Sequence, residues 1–184
     1  RGLGEDAPTD RARALLSLDK AAEALEAVAN ENGVRGLCVR GRALRALGRA
    51  EEAVEALRAA LNEPLAADAG DAAAWAFDEA RHENAHAVAR LTLGESLFDL
   101  ARFSEAADVL ADLSSERARL VHAGCCERLE RTDDAIAAYS GLVRDFGSER
   151  GRERLQALMA ARALRSRGRA TRADSSIDIG SIVE

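Results

Sequence analysis

The residues with the clearest potential for chemistry are two histidines and a glutamate in the run His82-Glu83-Asn84-Ala85-His86. On a helix, the histidines would lie one turn apart on the same face, where they could bind zinc while Glu83 acted as a general base. Glu105 lies 19 residues beyond His86, near the position of the third ligand in zinc peptidases that use a glutamate. A zinc protease also needs a strand to hold its substrate, and we predict no strand in residues 1–168. We therefore interpret the run as an ordinary polar helix face and expect neither a metal site nor catalysis.

The three cysteines, Cys38, Cys125 and Cys126, form an odd number without the spacing of a secreted disulfide framework. We interpret them as free thiols in a reducing cytoplasm. His122 precedes the Cys125–Cys126 pair on one predicted helix. Neighbouring side chains on a helix point about 100° apart, so both thiols cannot easily join His122 around one ion. Buried structural thiols are therefore the favoured interpretation.

Other sequence patterns that would indicate catalysis are missing. There is no Gly-rich phosphate loop, no nucleophile elbow and no Cys-x-x-Cys pair. The formal net charge is −6, so we do not expect nucleic acid as a partner. Paired acids such as Glu51-Glu52 and Asp133-Asp134 stand in the first turns of predicted helices, where the positive helix end favours them. We expect no enzymatic activity and no cofactor.

The composition favours helices as the elements that would position these side chains. Of the 184 residues, 47% are hydrophobic, 32% are charged and only 3% are aromatic. Alanine and straight-chain residues lose little freedom in a helix, whereas the β-branched and aromatic residues that favour strands are scarce. No stretch approaches the ~20 apolar residues that a membrane span needs. The sequence therefore predicts one all-α domain of ordinary size without a membrane span.

A helix-turn-helix pattern recurs along the chain. In residues 41–61, apolar residues recur every three or four positions on both sides of Gly48, which predicts two amphipathic helices joined by a tight turn. The pattern returns at residues 93–110 and 123–142. Weaker copies are predicted near both ends, at residues 18–25 and around a turn at Gly168. We expect equivalent alanines at the start of each second helix, at positions 21, 53, 106, 135 and 173.

This repeated pattern resembles the tetratricopeptide repeat (TPR) family, whose 34-residue unit carries small residues at fixed positions of two helices. Residues 87–114 and 116–147 match that unit moderately. The best match is residues 34–67, through Gly41, Gly48, Ala53, Leu57, Ala60 and Pro64. The resemblance covers about residues 10–168. It implies an all-α, right-handed superhelix of about four to five antiparallel helix pairs.

In the TPR family, the first helix of each unit lines a concave groove that binds ligands. The resemblance implies that the following side chains form a partner-binding groove: Arg35, Cys38, Arg42, Arg45, Val88, Leu91, Glu95, Phe98, Arg117 and Leu120. The same groove positions of the three units also include Ala46, Asp99, Gly124, Glu127 and Arg128. The arginines of the best unit could present a basic strip to an acidic partner, and the alternative is a solvated face with intrahelical pairs to acids. Three apolar side chains would be anchors, namely Leu91, Phe98 and Leu120. The clamp of lysine and asparagine that some relatives use for heat-shock chaperones is not reproduced.

The flanking segments differ in pattern from the repeats. Residues 1–9 are polar and are predicted to be disordered. An insertion around residues 68–86 contains Trp75, which we expect to pack against a neighbouring helix. This insertion either extends the following helix or adds an extra one. Residues 169–184 alternate apolar with acidic or small residues, which predicts a flexible or partner-docking tail.

We conclude from the sequence that the chain is a non-catalytic, cytoplasmic scaffold that binds a protein or peptide, acidic in character, through the concave groove. One alternative is a zinc-dependent hydrolase that uses His82, Glu83 and His86. The other is a self-assembly module in which the terminal helices or the tail bind a second copy, giving a homo-oligomer.

Overall fold

The structure, a computed structural model, describes residues 8–63 and 85–177, with side chains described up to residue 167. The secondary structure of these ranges consists of nine α-helices, which confirms the all-α prediction. In chain order they are α1 Pro8–Ser17, α2 Ala21–Ala27, α3 Val34–Ala46, α4 Ala50–Asn62, α5 Ala85–Asp99, α6 Phe103–Leu110, α7 Glu116–Arg128, α8 Thr132–Phe146 and α9 Glu149–Ile177. Pro64, Trp75 and nearly all of the predicted insertion lie outside the described residues.

Four helix pairs share one turn geometry. In each turn, one residue has a left-handed φ between 57° and 75°: Asp19, Gly48, Ala101 and Glu130. The next residue donates its N–H to a carbonyl five positions earlier, at 2.9 Å for Lys20 to Leu15, 2.9 Å for Arg49 to Leu44, 2.8 Å for Arg102 to Leu97 and 2.9 Å for Arg131 to Cys126. This is the Schellman arrangement that satisfies the last carbonyls of a helix. The same local solution therefore ends the first helix of every pair.

A fully buried alanine follows each turn by five residues and packs the second helix against the first. These alanines are Ala24, Ala53, Ala106 and Ala135. The equivalent alanine of the first pair is therefore Ala24. The prediction of Ala21 is wrong by three residues, because the turn at Asp19 fixes where the second helix begins. The left-handed residues are 29 positions apart in the first two pairs and again in the last two. The unit is thus shorter than the 34 residues of the TPR family.

The helices pack in two layers. The first helices, α1, α3, α5 and α7, contact one another in that order. Each second helix packs against its own partner, and α2, α4 and α6 also contact the first helix of the next pair. Helix α9 packs against α8. The core therefore runs along the row of helices, and each pair is held mainly by its neighbours.

Two glycines allow the helices of a pair to approach closely. A Cβ atom added at Gly41 would lie 2.4 Å from Cγ of Leu57, and one added at Gly94 would lie 2.5 Å from Cγ of Leu110. Both leucines are buried. Each glycine therefore accommodates a leucine of its partner helix, as the small residues of the sequence pattern predict.

The C-terminal region differs from the prediction. Helix α9 continues through Gly168 to Ile177 without a turn, so the predicted fifth pair is wrong and the helix crosses the predicted boundary at residue 169. A helix pair needs an apolar stripe on its second helix, and residues 169–176 contain only arginine, alanine, threonine, aspartate and serine. At the other end, α1 begins at Pro8, inside the polar segment predicted for residues 1–9.

Candidate binding surface on the first helices

The predicted groove residues lie on α3, α5 and α7, three first helices that contact one another in order. We call the accessible side of these helices the first-helix surface. Its accessible members are half-buried or exposed: Arg35, Arg42, Arg45, Val88, Phe98, Asp99, Arg117, Leu120 and Arg128. The fold therefore brings residues from all three predicted units onto neighbouring helices.

Glu95 lies at the centre of this surface and binds arginines from both neighbouring helices. Its Oε2 is 2.5 Å from Nη1 of Arg45, and its Oε1 is 2.5 Å from Nε of Arg117. Nη2 of Arg117 also donates to Oε2 of Glu95 at 3.0 Å. Arg45 donates a further bond to Oδ2 of Asp99 at 2.7 Å. Only 7% of the Glu95 side chain is exposed, so one buried carboxylate joins α3, α5 and α7.

The predicted basic strip is opposed by carboxylates from other helices. Arg45 is bound by Glu95 and Asp99, and Nη2 of Arg35 lies 3.4 Å from Oδ1 of Asp10 on α1. These ion pairs connect different helices. They are therefore not the intrahelical pairs that were predicted as the alternative to a basic strip. The first-helix surface consequently has mixed charge.

Besides Glu95, two predicted groove residues are buried. Cys38 is fully buried, and its thiol lies 3.6 Å from the carbonyl oxygen of Ala85. Burial raises the pKa of this thiol to about 12, while the nearby Arg42 charge lowers it less. Leu91 is 8% exposed and packs in a cluster with Leu110, Leu113 and Ala118. Cys38 and Leu91 therefore support the core, and the prediction that they line an accessible groove is corrected.

Phe98 is half-buried where α5, α6 and α7 meet. Its ring meets that of Phe103 edge to face, with ring centroids 5.2 Å apart. The Cα of Gly124 on α7 faces it so closely that an added Cβ would lie 3.4 Å from Cε2 of Phe98. The Arg128 guanidinium lies 5.1 Å from the centroid of Phe103. This aromatic pair therefore connects the core to the exposed arginine of α7.

A second carboxylate junction, which the sequence did not predict as a unit, lies between α7, α8 and α9. The Tyr139 hydroxyl is 3.2 Å from Oε2 of Glu127, and Arg154 forms an ion pair with the same carboxylate. Burial raises the pKa of Tyr139 to about 12, and the negative charge of Glu127 adds to this rise. No sequence signal joins these residues, because Tyr139 and Arg154 lie 12 and 27 positions from Glu127.

The structure describes only part of the histidine motif, whereas it describes the cysteine motif in full. His82 and Glu83 lie outside the described residues, and Nε2 of His86 is 3.0 Å from the carbonyl oxygen of Glu63. Burial lowers the pKa of His122 and raises that of Cys125 to about 11. Residues 8–63 and 85–177 contain no group of three His, Cys, Asp or Glu side chains placed to hold a metal ion.

The comparisons with known proteins leave the family open. No protein-family model and no curated protein matches this chain. Among the described helices, none combines the length and the apolar character needed to cross a membrane.

Proposed function

We propose that the chain folds as a right-handed, TPR-like superhelix of stacked antiparallel helix pairs. The support is the fourfold repetition of one turn, each followed by a buried alanine, together with contacts between successive first helices. Equivalent small residues at Gly41, Gly94 and Ala123 face buried side chains of the second helices. Repeats that contact only their neighbours are characteristic of solenoid folds.

We further propose that the chain is a non-catalytic scaffold that binds a protein or peptide on the first-helix surface. The observation that carries this proposal is the uninterrupted contact of α1, α3, α5 and α7, which makes one extended surface out of separate repeats. Half-buried Val88 and Leu120 offer apolar contacts, while Asp99 and Arg128 offer charges of both signs. A partner that combines apolar anchors with both charges fits such a surface better than a purely acidic one.

The cytoplasm is the compartment that we propose for this activity. The three cysteines are free thiols in the described structure, and all of them are buried. Free thiols of this kind are usual in a reducing compartment.

Site-specific photo-crosslinking tests the proposed surface. A photoreactive amino acid is placed at Arg42, Val88 or Leu120 on the first helices, and at the exposed positions Ala59 or Ser140 on the second helices as matched controls. We expect crosslinks to a common cellular protein from the first set and not from the second. Peptides from the captured protein should then compete with the crosslink. Equal capture from both sets would show that the first-helix surface is not the binding surface.

A further inference from the structure

Helix α9 extends well beyond the helix that supports it. The two helices run in opposite directions, because Gly151 lies beside Leu142 and Nη1 of Arg162 lies 2.9 Å from Oδ1 of Asp133. Asp133 is in the first turn of α8. In the direction in which α9 continues, α8 therefore does not extend beyond this point. At 1.5 Å per residue, the 15 residues of α9 beyond Arg162 extend for about 22 Å. We call residues 162–177 the distal half of α9.

The distal half is basic, and its described side chains are exposed. Residues 162–167 are all exposed, and Leu164 is 68% exposed. The sequence between Glu153 and Asp174 contains no acidic residue, and it contains six arginines: Arg154, Arg162, Arg165, Arg167, Arg169 and Arg172. Positions 162, 165, 169 and 172 follow helical spacing of three and four, so they share one side of the helix. The charge of this segment is opposite in sign to the −6 of the whole chain.

The second helices carry the complementary charge. Each of α2, α4, α6 and α8 has two more acidic than basic residues. Three of these acids recur at one position of the repeat, two residues after the buried alanine, and all three are exposed: Glu26, Glu55 and Asp108. We call these three residues the acidic row. A row of carboxylates at a repeating position on successive helices suits a basic helix laid across them.

We propose that the distal half of α9 docks on the acidic row of a second copy of this chain. Beyond the ion pair of Arg162 with Asp133, no part of α8 lies beside α9, and both charged surfaces belong to the same sequence. A 22-Å helix alone buries less than a standard interface, so the pair is held largely by opposite charge and is weakened by salt. This inference does not depend on the proposed partner of the first-helix surface.

The experiment measures the mass of the nuclease-treated 184-residue chain by light scattering at 50 mM and 500 mM NaCl. We expect about twice the monomer mass of 19.6 kDa at low salt and the monomer at high salt. Two charge reversals should each disrupt the pair, R165E/R169E in the distal half and E55R/D108R in the acidic row. Each should raise the dissociation constant at least about tenfold. An equimolar mixture of the two variants should restore a mass of two chains, because their reversed surfaces match again.

The matched control is R150E/R152E, which makes the same charge change at the exposed start of α9 and should leave the pair intact. Circular dichroism checks that every variant keeps its helices. A wild-type monomer at 100 µM chain and 50 mM NaCl overturns the proposal, and so does failure of the mixture to restore the pair. Binding of the wild-type distal half to a nucleic acid duplex or to anionic vesicles, with no self-association, would assign the arginines to a different partner and overturn it as well.

Discussion

Glu95 connects three first helices through its ion pairs with Arg45 and Arg117. Removing one partner of a buried ion pair leaves the opposite charge uncompensated, and this is usually more damaging than losing an exposed pair. We expect Glu95→Gln to lower the free energy of unfolding by about 3 kcal/mol, because Arg45 and Arg117 would then share a neutral side chain. Urea denaturation followed by circular dichroism measures the change.

The control for Glu95 is Glu153→Gln, since Glu153 is exposed on α9 and lies outside the acidic row. That substitution should change the free energy of unfolding by less than about 0.5 kcal/mol. If both variants lost the same small amount, the contacts of Glu95 with α3 and α7 would not contribute to stability.

His122 should make the stability of the fold depend on pH. Burial lowers its pKa in the folded state, although the charges of Asp134 and Asp108 partly oppose this shift. The unfolded chain, with an ordinary histidine pKa of about 6.5, therefore binds more protons under mildly acidic conditions. The stability contributed by neutral His122 is complete above about pH 6.5 and is lost as the pH falls below it.

The variant His122→Gln removes this titration. Its urea midpoint should fall less than that of the wild type between pH 7.5 and pH 5. An identical fall in both chains would mean that other groups cause the acid sensitivity. His86→Gln serves as the comparison, because it changes a histidine whose ring contacts a backbone carbonyl instead.

At the scale of the helix pair, the close approach of α5 and α6 requires a glycine. A Cβ at position 94 would lie 2.5 Å from Cγ of Leu110, so Gly94→Ala forces the two helices apart or the leucine out of its rotamer. We expect a loss of about 2 kcal/mol in the free energy of unfolding, even though alanine favours helix by up to about 1 kcal/mol over glycine. Thermal and urea denaturation both measure it.

Gly141 on α8 provides the matched control, because an added Cβ there meets nothing within 4 Å. Gly141→Ala should raise stability by about 0.5–1 kcal/mol through helix propensity alone. The double variant Gly94→Ala with Leu110→Ala should lose less than the sum of its single changes, since the smaller side chain makes room. Strict additivity would show that Gly94 and Leu110 do not compete for space.

The sequence predicts the helix pairs better than their charged contacts. The turn at Gly48 and the small residues at Gly41 and Ala53 are local signals, and the structure confirms the pair that they predict. Gly168 shows the limit of such signals, because α9 continues through this glycine and residues 169–176 do not supply the apolar stripe of a second helix. The contacts of Arg45 with Glu95 and Asp99 span 50 and 54 residues. No spacing rule within one helix indicates ion pairs between residues so far apart in the chain. The sequence alone therefore predicted that the arginines of α3 are accessible.

At the scale of the molecule, contacts between neighbouring pairs imply that stability varies along the chain. Helices α3 and α5 have neighbours on both sides, whereas α1 begins the row and the distal half of α9 lies beyond α8. In such arrays each repeat is stabilised mainly by its own folding and by its nearest interfaces. Local opening should therefore cost least at the two ends.

Native-state hydrogen exchange tests this gradient, and it is best measured at 500 mM NaCl, where the proposed pair is dissociated. We expect the slowest amide exchange in α3 and α5, intermediate rates in α7 and α8, and nearly unprotected amides in the distal half of α9. Lowering the salt to 50 mM should protect the distal half selectively if it docks on a second copy. Equal protection of all helices at high salt would show a single cooperative unit, which is incompatible with stability that is transmitted only between adjacent pairs.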